Sequence, residues 1–240
     1  MNGPFAQLVC LATYGRRWLA APYAEWPPDP HLGNSTFRYV SSVRFRGGRL
    51  WNDVPSWLEG LRDRGAKALW LDVVTDRMPD GIGFANGDAG TWALVAKTES
   101  GQERWHARWE HLQGARDGRT WSVEYTGTGS NVAVPVPALD VAEATLRAAL
   151  DESETAARDL GETGWAEWFA QARDANGAFR FHPDMVPPDF PDDRRRVAAM
   201  AEQAWVFGGM GSWNDAIGDA PVAHRLYGAI LTAFAAAVNG

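Results

Sequence analysis

Cysteine is nearly missing from this chain of 240 residues, with Cys10 the only one. No disulfide can form within the chain, and no thiolate cluster can hold a metal. Cys10 lies among Leu8, Val9 and Leu11, where a thiol packs as a small hydrophobe. Lysine is almost as scarce: Lys67 and Lys97 are the only two among 23 basic residues. That bias fits a GC-rich coding sequence as well as a need for bidentate guanidinium contacts. No stretch approaches the roughly eighteen uninterrupted apolar residues of a membrane span. At the start, Arg16 and Arg17 follow the apolar run instead of preceding it, the reverse of a signal peptide. These absences lead to the expectation of a cytoplasmic chain with no membrane partner.

An excess of positive charge is missing too. The net charge is −7, which argues against nucleic acid as a partner, because phosphates require a basic surface. Catalytic signatures are equally sparse. There is no Gly-x-Ser-x-Gly elbow, no helical pair of histidines at metal spacing, and no glycine loop carrying a lysine ahead of a helix. His106 and His111 sit five apart on one expected strand and so face opposite ways. His31 and His224 stand alone, and His182-Pro183-Asp184 falls in a proline-rich loop where histidines are mostly solvated. No cofactor and no metal are expected.

What the chain has in quantity is tryptophan, 13 residues, a side chain that serves cores and binding surfaces alike. Taken in order, Phe5 to Leu19 has apolar residues at helical spacing, and the proline-rich stretch around Pro22 to Pro30 reads as a surface loop. Thr36 to Phe45 alternates, with Phe37, Tyr39, Val43 and Phe45 on one face, and predicts a half-buried strand. Asp53 caps a short helix from Val54 to Arg64, and Ala68 to Val74 is apolar enough for a central strand. Asp80 to Gly90 has acids and glycines without calcium-loop spacing, and reads as a hydrated turn.

Thr91–Thr98, Glu103–Leu112 and Arg119–Tyr125 read as an antiparallel meander with an aromatic inner face: Trp92, Trp105, Trp109, Trp121 and Tyr125. Gly127-Thr128-Gly129 starts like a dinucleotide fingerprint, but no third glycine or helix follows, so it reads as a linker. Four helices are expected after it. They run from Asp140 to Leu160, from Trp165 to Ala175 behind Thr163, from Asp192 through Phe207, and from Pro221 to about Val238. The expected fold is α+β: an antiparallel sheet of about five strands in the N-terminal half packed against a C-terminal group of about four helices. One domain over residues 1–240 is expected, sheet-rich over 1–130 and helical over 138–240.

The least ordinary stretch is Trp205-Val206-Phe207-Gly208-Gly209-Met210-Gly211-Ser212-Trp213-Asn214-Asp215. Two readings stay open for it. In one, Gly208 or Gly209 ends a helix with positive φ, and Trp205, Phe207 and Trp213 pack inward. In the other, the glycines expose backbone N–H groups in a ligand pocket. Trp205, Gly209, Met210, Gly211, Trp213, Asn214 and Asp215 would line it, and it would have to exceed about 300 Å³. Asp72, on a strand with Asp76 just beyond its end, is the best candidate for a functional carboxylate.

This stretch resembles the terminal segment of a group of uncharacterised bacterial proteins that end in a similar F-G-G-M-G-S-W-N-D sequence and a final helix. Asn34-Ser35-Thr36-Phe37-Arg38-Tyr39-Val40 is similar to a segment of the same group. The resemblance implies that the two patches belong to one domain, and it brings no activity with it. Two functions follow from the residues. The first is a non-catalytic protein that binds another protein, as an acidic immunity or antitoxin-type protein masks a basic toxin. The second is a small-ligand binder or enzyme with a pocket at the sheet–helix seam around Gly208 to Asp215.

Overall fold

A computed structural model describes residues 1, 3–21, 34–78, 91–115, 118–208, 212–217 and 220–240. The chain opens with helix α1 (Gly3–Ala20), which is buried along most of its length. The strand expected from Thr36 begins later. The Asn34 side chain accepts hydrogen bonds from Thr36 N at 3.0 Å and Thr36 Oγ1 at 2.7 Å, and this winds Ser35–Phe37 into one 3-10 turn. Strand β1 therefore runs Val40–Gly47. Tyr39, expected inward beside Phe37, instead falls at the turn and is 55% exposed.

After β1 come the short strand β2 (Arg49–Trp51), which the pattern did not signal, and helix α2 (Val54–Arg62), capped by Asp53. Strands β3 (Leu69–Val73), β4 (Trp92–Thr98), β5 (Gly101–His111) and β6 (Trp121–Ser130) complete a six-stranded sheet in the order β2-β1-β6-β5-β4-β3. The fold is α+β, but three expectations need correction. The sheet is mixed and has six strands, because β1 lies parallel to β6, with Val43 beside Val123 and Phe45 beside Tyr125. Alternation assigns each strand its faces, and these two strands match faces across a long stretch of intervening chain. The Gly127-Thr128-Gly129 run is part of β6 and not a linker. Finally, β3 is an edge strand despite its apolar sequence.

That edge is closed by side chains. Asn239 accepts from Leu71 N at 2.8 Å and donates to Leu71 O at 2.7 Å, and Arg16 Nη2 donates to Leu69 O at 3.3 Å. An amide thus replaces the neighbouring strand that Leu71 lacks, and this accounts for a buried edge with apolar residues on it. Replacing Asn239 with alanine orphans both Leu71 groups in a buried setting. The expected loss is about 2–3 kcal/mol in chemical denaturation, with Leu71 amide exchange accelerated beyond what global unfolding explains.

Helices α3 (Leu139–Asp159), α4 (Thr163–Arg173), α5 (Asp192–Gln203), the short α6 (Trp213–Ile217) and α7 (Pro221–Asn239) follow. The expected group of four is thus extended by α6. Asp140, expected as the cap of the first of them, lies inside its first turn, and Ala138 holds the cap position. Three neighbours each send an arginine to α3: Arg173 to Asp151 and Glu154, Arg196 to Glu143, and Arg225 to Glu152. The Arg196 contact holds the Glu143 carboxyl below its ordinary range. Helix α7 is long and apolar enough to cross a membrane, yet 78% of that stretch is buried inside the protein. Its composition follows from its place against α1, α3, α5 and β3.

The sheet's inner face, α1, α2 and the C-terminal helices share one hydrophobic cluster. Its densest part is aromatic: Phe45 stacks between Trp57 at 4.1 Å and Tyr125 at 4.9 Å, and Trp105 stands edge-on to Phe45, Trp51 and Trp57.

Candidate functional site

Of the residues that the sequence suggested as a site, Asp72 lies on the opposite face of the sheet from Trp205. Trp205 and Trp213 belong to the core. Trp205 stacks on Phe5 at 5.1 Å, meets Trp92 edge-on, and donates its Nε1–H to Phe207 O at 3.0 Å. Trp213 is fully buried against Phe169, and its backbone N–H donates to Val206 O at 3.0 Å. Helix α5, expected to run through Phe207, ends at Gln203 with Ala204 as its cap, so Gly208, at φ +92°, lies four residues beyond the cap and is not the helix stop. Gly209, Met210 and Gly211 lie outside the described residues, as does the whole Asp80 to Gly90 turn. Asn214 is the second residue of α6. Asp215 is exposed, and its Oδ2 accepts from Ser212 N at 3.3 Å.

Asp72 stands on the other face of the sheet. Its neighbours Leu71 and Val73 point into the core, so its carboxylate points outward, where Arg104 Nε lies 2.7 Å from Oδ2. Nothing brings Asp72 and Trp205 together, since Trp205 packs on the inner face. The outward face also carries His106, whose pKa is lowered by burial and then by Arg104.

A different place has the geometry of a site. At one end of the sheet, where β1 and β6 begin and β5 ends, a cavity of about 450 Å³ opens between strands and loop. Tyr39, Trp109, Trp121, Phe181, His182 and Ser35 are among its lining residues. The sheet supplies the two tryptophans: Trp109 pairs across from Val123 and His111 from Trp121, which puts both indoles on the inner face. Trp121 N–H donates to Tyr39 O at 3.0 Å, tying the 3-10 turn to the sheet end. The indoles meet edge-on with centroids 6.1 Å apart.

Loop 174–191, between α4 and α5, supplies the opposite wall, and two carboxylates hold it. Glu202, with no exposed surface, accepts from the backbone N–H groups of Arg180 at 2.6 Å, Phe181 at 3.2 Å and His182 at 2.8 Å. Asp184 accepts from Ser35 N at 3.0 and 2.9 Å and from Ser35 Oγ, while Asn34 Nδ2 donates to Asp184 O at 2.9 Å. Tyr14 Oη adds bonds to the carbonyls of Asp184 and Val186, both at 3.2 Å. These bonds turn a proline-rich loop into a fixed wall, and they leave Phe181 45% exposed at the rim opposite Tyr39.

The charges of Asp184 and Glu202 are thereby committed to structure. His182 is held neutral: burial lowers its pKa to about 4. Thr36 and Asn34 reach the other way, toward Cys10, whose thiol is pushed up to about 12 by burial and so stays protonated. The cavity wall thus presents ring faces, a neutral imidazole and Met1.

Sequence reasoning passed over this pocket. Its one advance signal was the patch Asn34 to Val40, four of whose residues, Ser35, Thr36, Tyr39 and Val40, line the cavity. His182 was expected to be solvated in its proline-rich loop and is instead largely buried, and Phe181 gave no signal, because the placement of both depends on Glu202 about twenty residues away. The architecture is that of an α+β protein with a mixed six-stranded sheet, helices on its inner face and an aromatic cavity at one strand end. No protein-family model, curated protein or solved structure matches the chain significantly.

Proposed function

We propose that this chain is a soluble, cytoplasmic, non-catalytic binding protein that engages another protein, and that the strand-end cavity is part of the surface it uses. One observation carries the reading: about 450 Å³ of aromatic-lined space, with Tyr39 and Phe181 exposed at its mouth. Exposed aromatics around a pocket are the composition of interaction hot spots, since water leaves their large surface at little cost in side-chain entropy. Among the described residues, no other aromatic side chain is as exposed as these two.

The charge distribution supports an immunity or antitoxin-type role. Residues 1–130 carry 15 basic and 14 acidic side chains, whereas residues 131–240 carry 8 and 16. The acidic excess thus belongs to the helical part, which would steer a basic partner toward the protein before short-range contacts form. The resemblance to the bacterial group fits this proposal without specifying it. A ligand pocket or catalytic site at the seam around Gly208 to Asp215 is the second reading. Its only support is the positive φ of Gly208, and the filled packing of Trp205 and Trp213 gives it no cavity among the described residues.

Partner capture tests the first reading. Tyr39→Ala/Phe181→Ala removes two exposed rings and should leave the melting temperature within a few degrees of the parent. A protein captured by the parent should be reduced at least tenfold with the double variant and be retained by Leu160→Ala, which alters an exposed apolar residue on the helical side. Equal capture by the double variant would remove the cavity from the interface.

A further inference from the structure

An asparagine that precedes glycine is unusually prone to lose its side-chain amide, because the glycine nitrogen approaches the asparagine Cγ with no Cβ in the way. The pair occurs at Asn2-Gly3, Asn86-Gly87, Asn176-Gly177 and Asn239-Gly240. The first two include residues outside those described. The other two stand in opposite environments. Asn239 is buried at the β3 edge, where its Oδ1 accepts from Leu71 N at 2.8 Å and its Nδ2 donates to Leu71 O at 2.7 Å and Pro135 O at 3.3 Å. The Gly240 N–H is engaged as well, donating to Ala236 O at 3.3 Å. The Asn239 Cγ and the Gly240 nitrogen can meet only if the end of α7 and the β3 edge open together. Asn176 is exposed in the loop that follows α4. Neither its side chain nor the Gly177 N–H makes a hydrogen bond among the described residues. Gly177 has φ +92°, and a Cβ built there would come no closer than 3.8 Å to its surroundings, at Arg196 Cα. Both reacting groups are therefore free and have room to move.

We infer that Asn176 is a site of spontaneous deamidation in the folded protein, and that Asn239 is protected from it. The Gly177 nitrogen gives its proton to base and attacks Asn176 Cγ. A new N–C bond closes a cyclic imide, and the side-chain nitrogen leaves as ammonia. Water then adds to one of the two imide carbonyls. Cleavage of the bond from the Gly177 nitrogen to Cγ restores the ordinary backbone with an aspartyl side chain. Cleavage of the bond to the main-chain carbonyl leaves an isoaspartyl residue, with the chain routed through the former side chain. Water is the only co-reactant, and nothing is oxidised or reduced. Either product exchanges a neutral amide for a carboxylate and so adds to the acidic excess of residues 131–240. The change falls in loop 174–191, whose later part walls the cavity, and it does not depend on what the cavity binds.

The test is peptide mapping by mass spectrometry after timed incubation of the whole chain at neutral and at mildly alkaline pH, both folded and in denaturing urea. Trypsin releases residues 174–180 between Arg173 and Arg180, and residues 226–240 after Arg225. In the folded chain, peptide 174–180 should convert at least tenfold faster than peptide 226–240. It should give two products of equal mass, with the isoaspartyl form in excess, and Asn176→Asp supplies the standard for the other. Conversion should speed up with pH, since the attacking nitrogen must lose its proton. In urea the two peptides should convert at rates within severalfold of each other, because burial no longer separates them. Gly177→Ala should slow conversion of 174–180 at least tenfold in urea as in the folded chain, so the effect cannot come from altered folding. A folded chain in which 174–180 stays intact while it converts in urea overturns the inference, because the fold then protects Asn176. Equal conversion of both peptides in the folded chain overturns it too, because the clamp on Asn239 then gives no protection.

Discussion

Glu202→Ala should lose about 3–5 kcal/mol of stability, the range for removing one partner from a buried charged network. The carboxylate has no exposed surface and takes three backbone donors, Arg180, Phe181 and His182, into its two oxygens. Without it those N–H groups lose their acceptor, and each unpaired buried group costs about 1–3 kcal/mol unless water enters. Glu202→Gln tests the same point with little change in shape. One amide oxygen can still accept, but the NH₂ group would confront a backbone N–H, so the loss should remain more than half that of alanine. Amide exchange at 180–182 should rise in both variants before the rest of the protein opens. Loss of stability without faster exchange there would mean that Glu202 supports α5 rather than the cavity wall.

Gly127→Ala is the second large effect. An added Cβ would stand 2.7 Å from Cε2 and Cζ2 of Trp105. That indole cannot retreat, because it is fully buried among Phe45, Trp51 and Trp57, and a Cβ at Gly47 would meet it 2.7 Å away on another side. Overpacking of this kind costs about 1–3 kcal/mol, and a rigid ring system belongs at the upper end of that range. A compensating change isolates the cause. Trp105→Phe alone should destabilise by opening a cavity, whereas in the Gly127→Ala background it should cost much less. A double-mutant cycle then gives a favourable coupling of at least 1 kcal/mol. Additive losses would show that the strain lies in the backbone of β6 and not in the indole's seat.

The parts of this fold legible in the sequence are those fixed by local chemistry. Helix α1 follows from the spacing of Phe5, Leu8, Val9 and Ala12, and Asp53 caps α2 by accepting from Ser56 N at 2.7 Å. The inward tiling of Trp105, Trp109 and Tyr125 likewise follows from period two. What was illegible depends on partners far along the chain. Gly127 looks like a linker residue until Trp105 of the adjacent strand is seen to require the space. Leu69–Val73 looks central because nothing in its own sequence reveals that Asn239 would close its edge.

The candidate site divides in the same way. The tryptophans of the glycine-rich stretch drew attention by composition, and the structure uses Trp205 and Trp213 for packing. The cavity depends instead on one polar side chain, Asn34, which winds the 3-10 turn and so turns Tyr39 out of the alternation. It depends equally on Glu202 folding a proline-rich loop back over the sheet end. Neither effect has a periodicity to read.

The central claim is that the strand-end cavity is where this protein meets its partner. The most direct measurement places a photo-crosslinking benzoylphenylalanine at position 39, at position 181, or at position 160 on the helical side, in cells that make the partner. The account predicts one shared crosslinked product from positions 39 and 181 and none from position 160. A product from position 160 alone would contradict it, and would move the binding surface to the acidic helices.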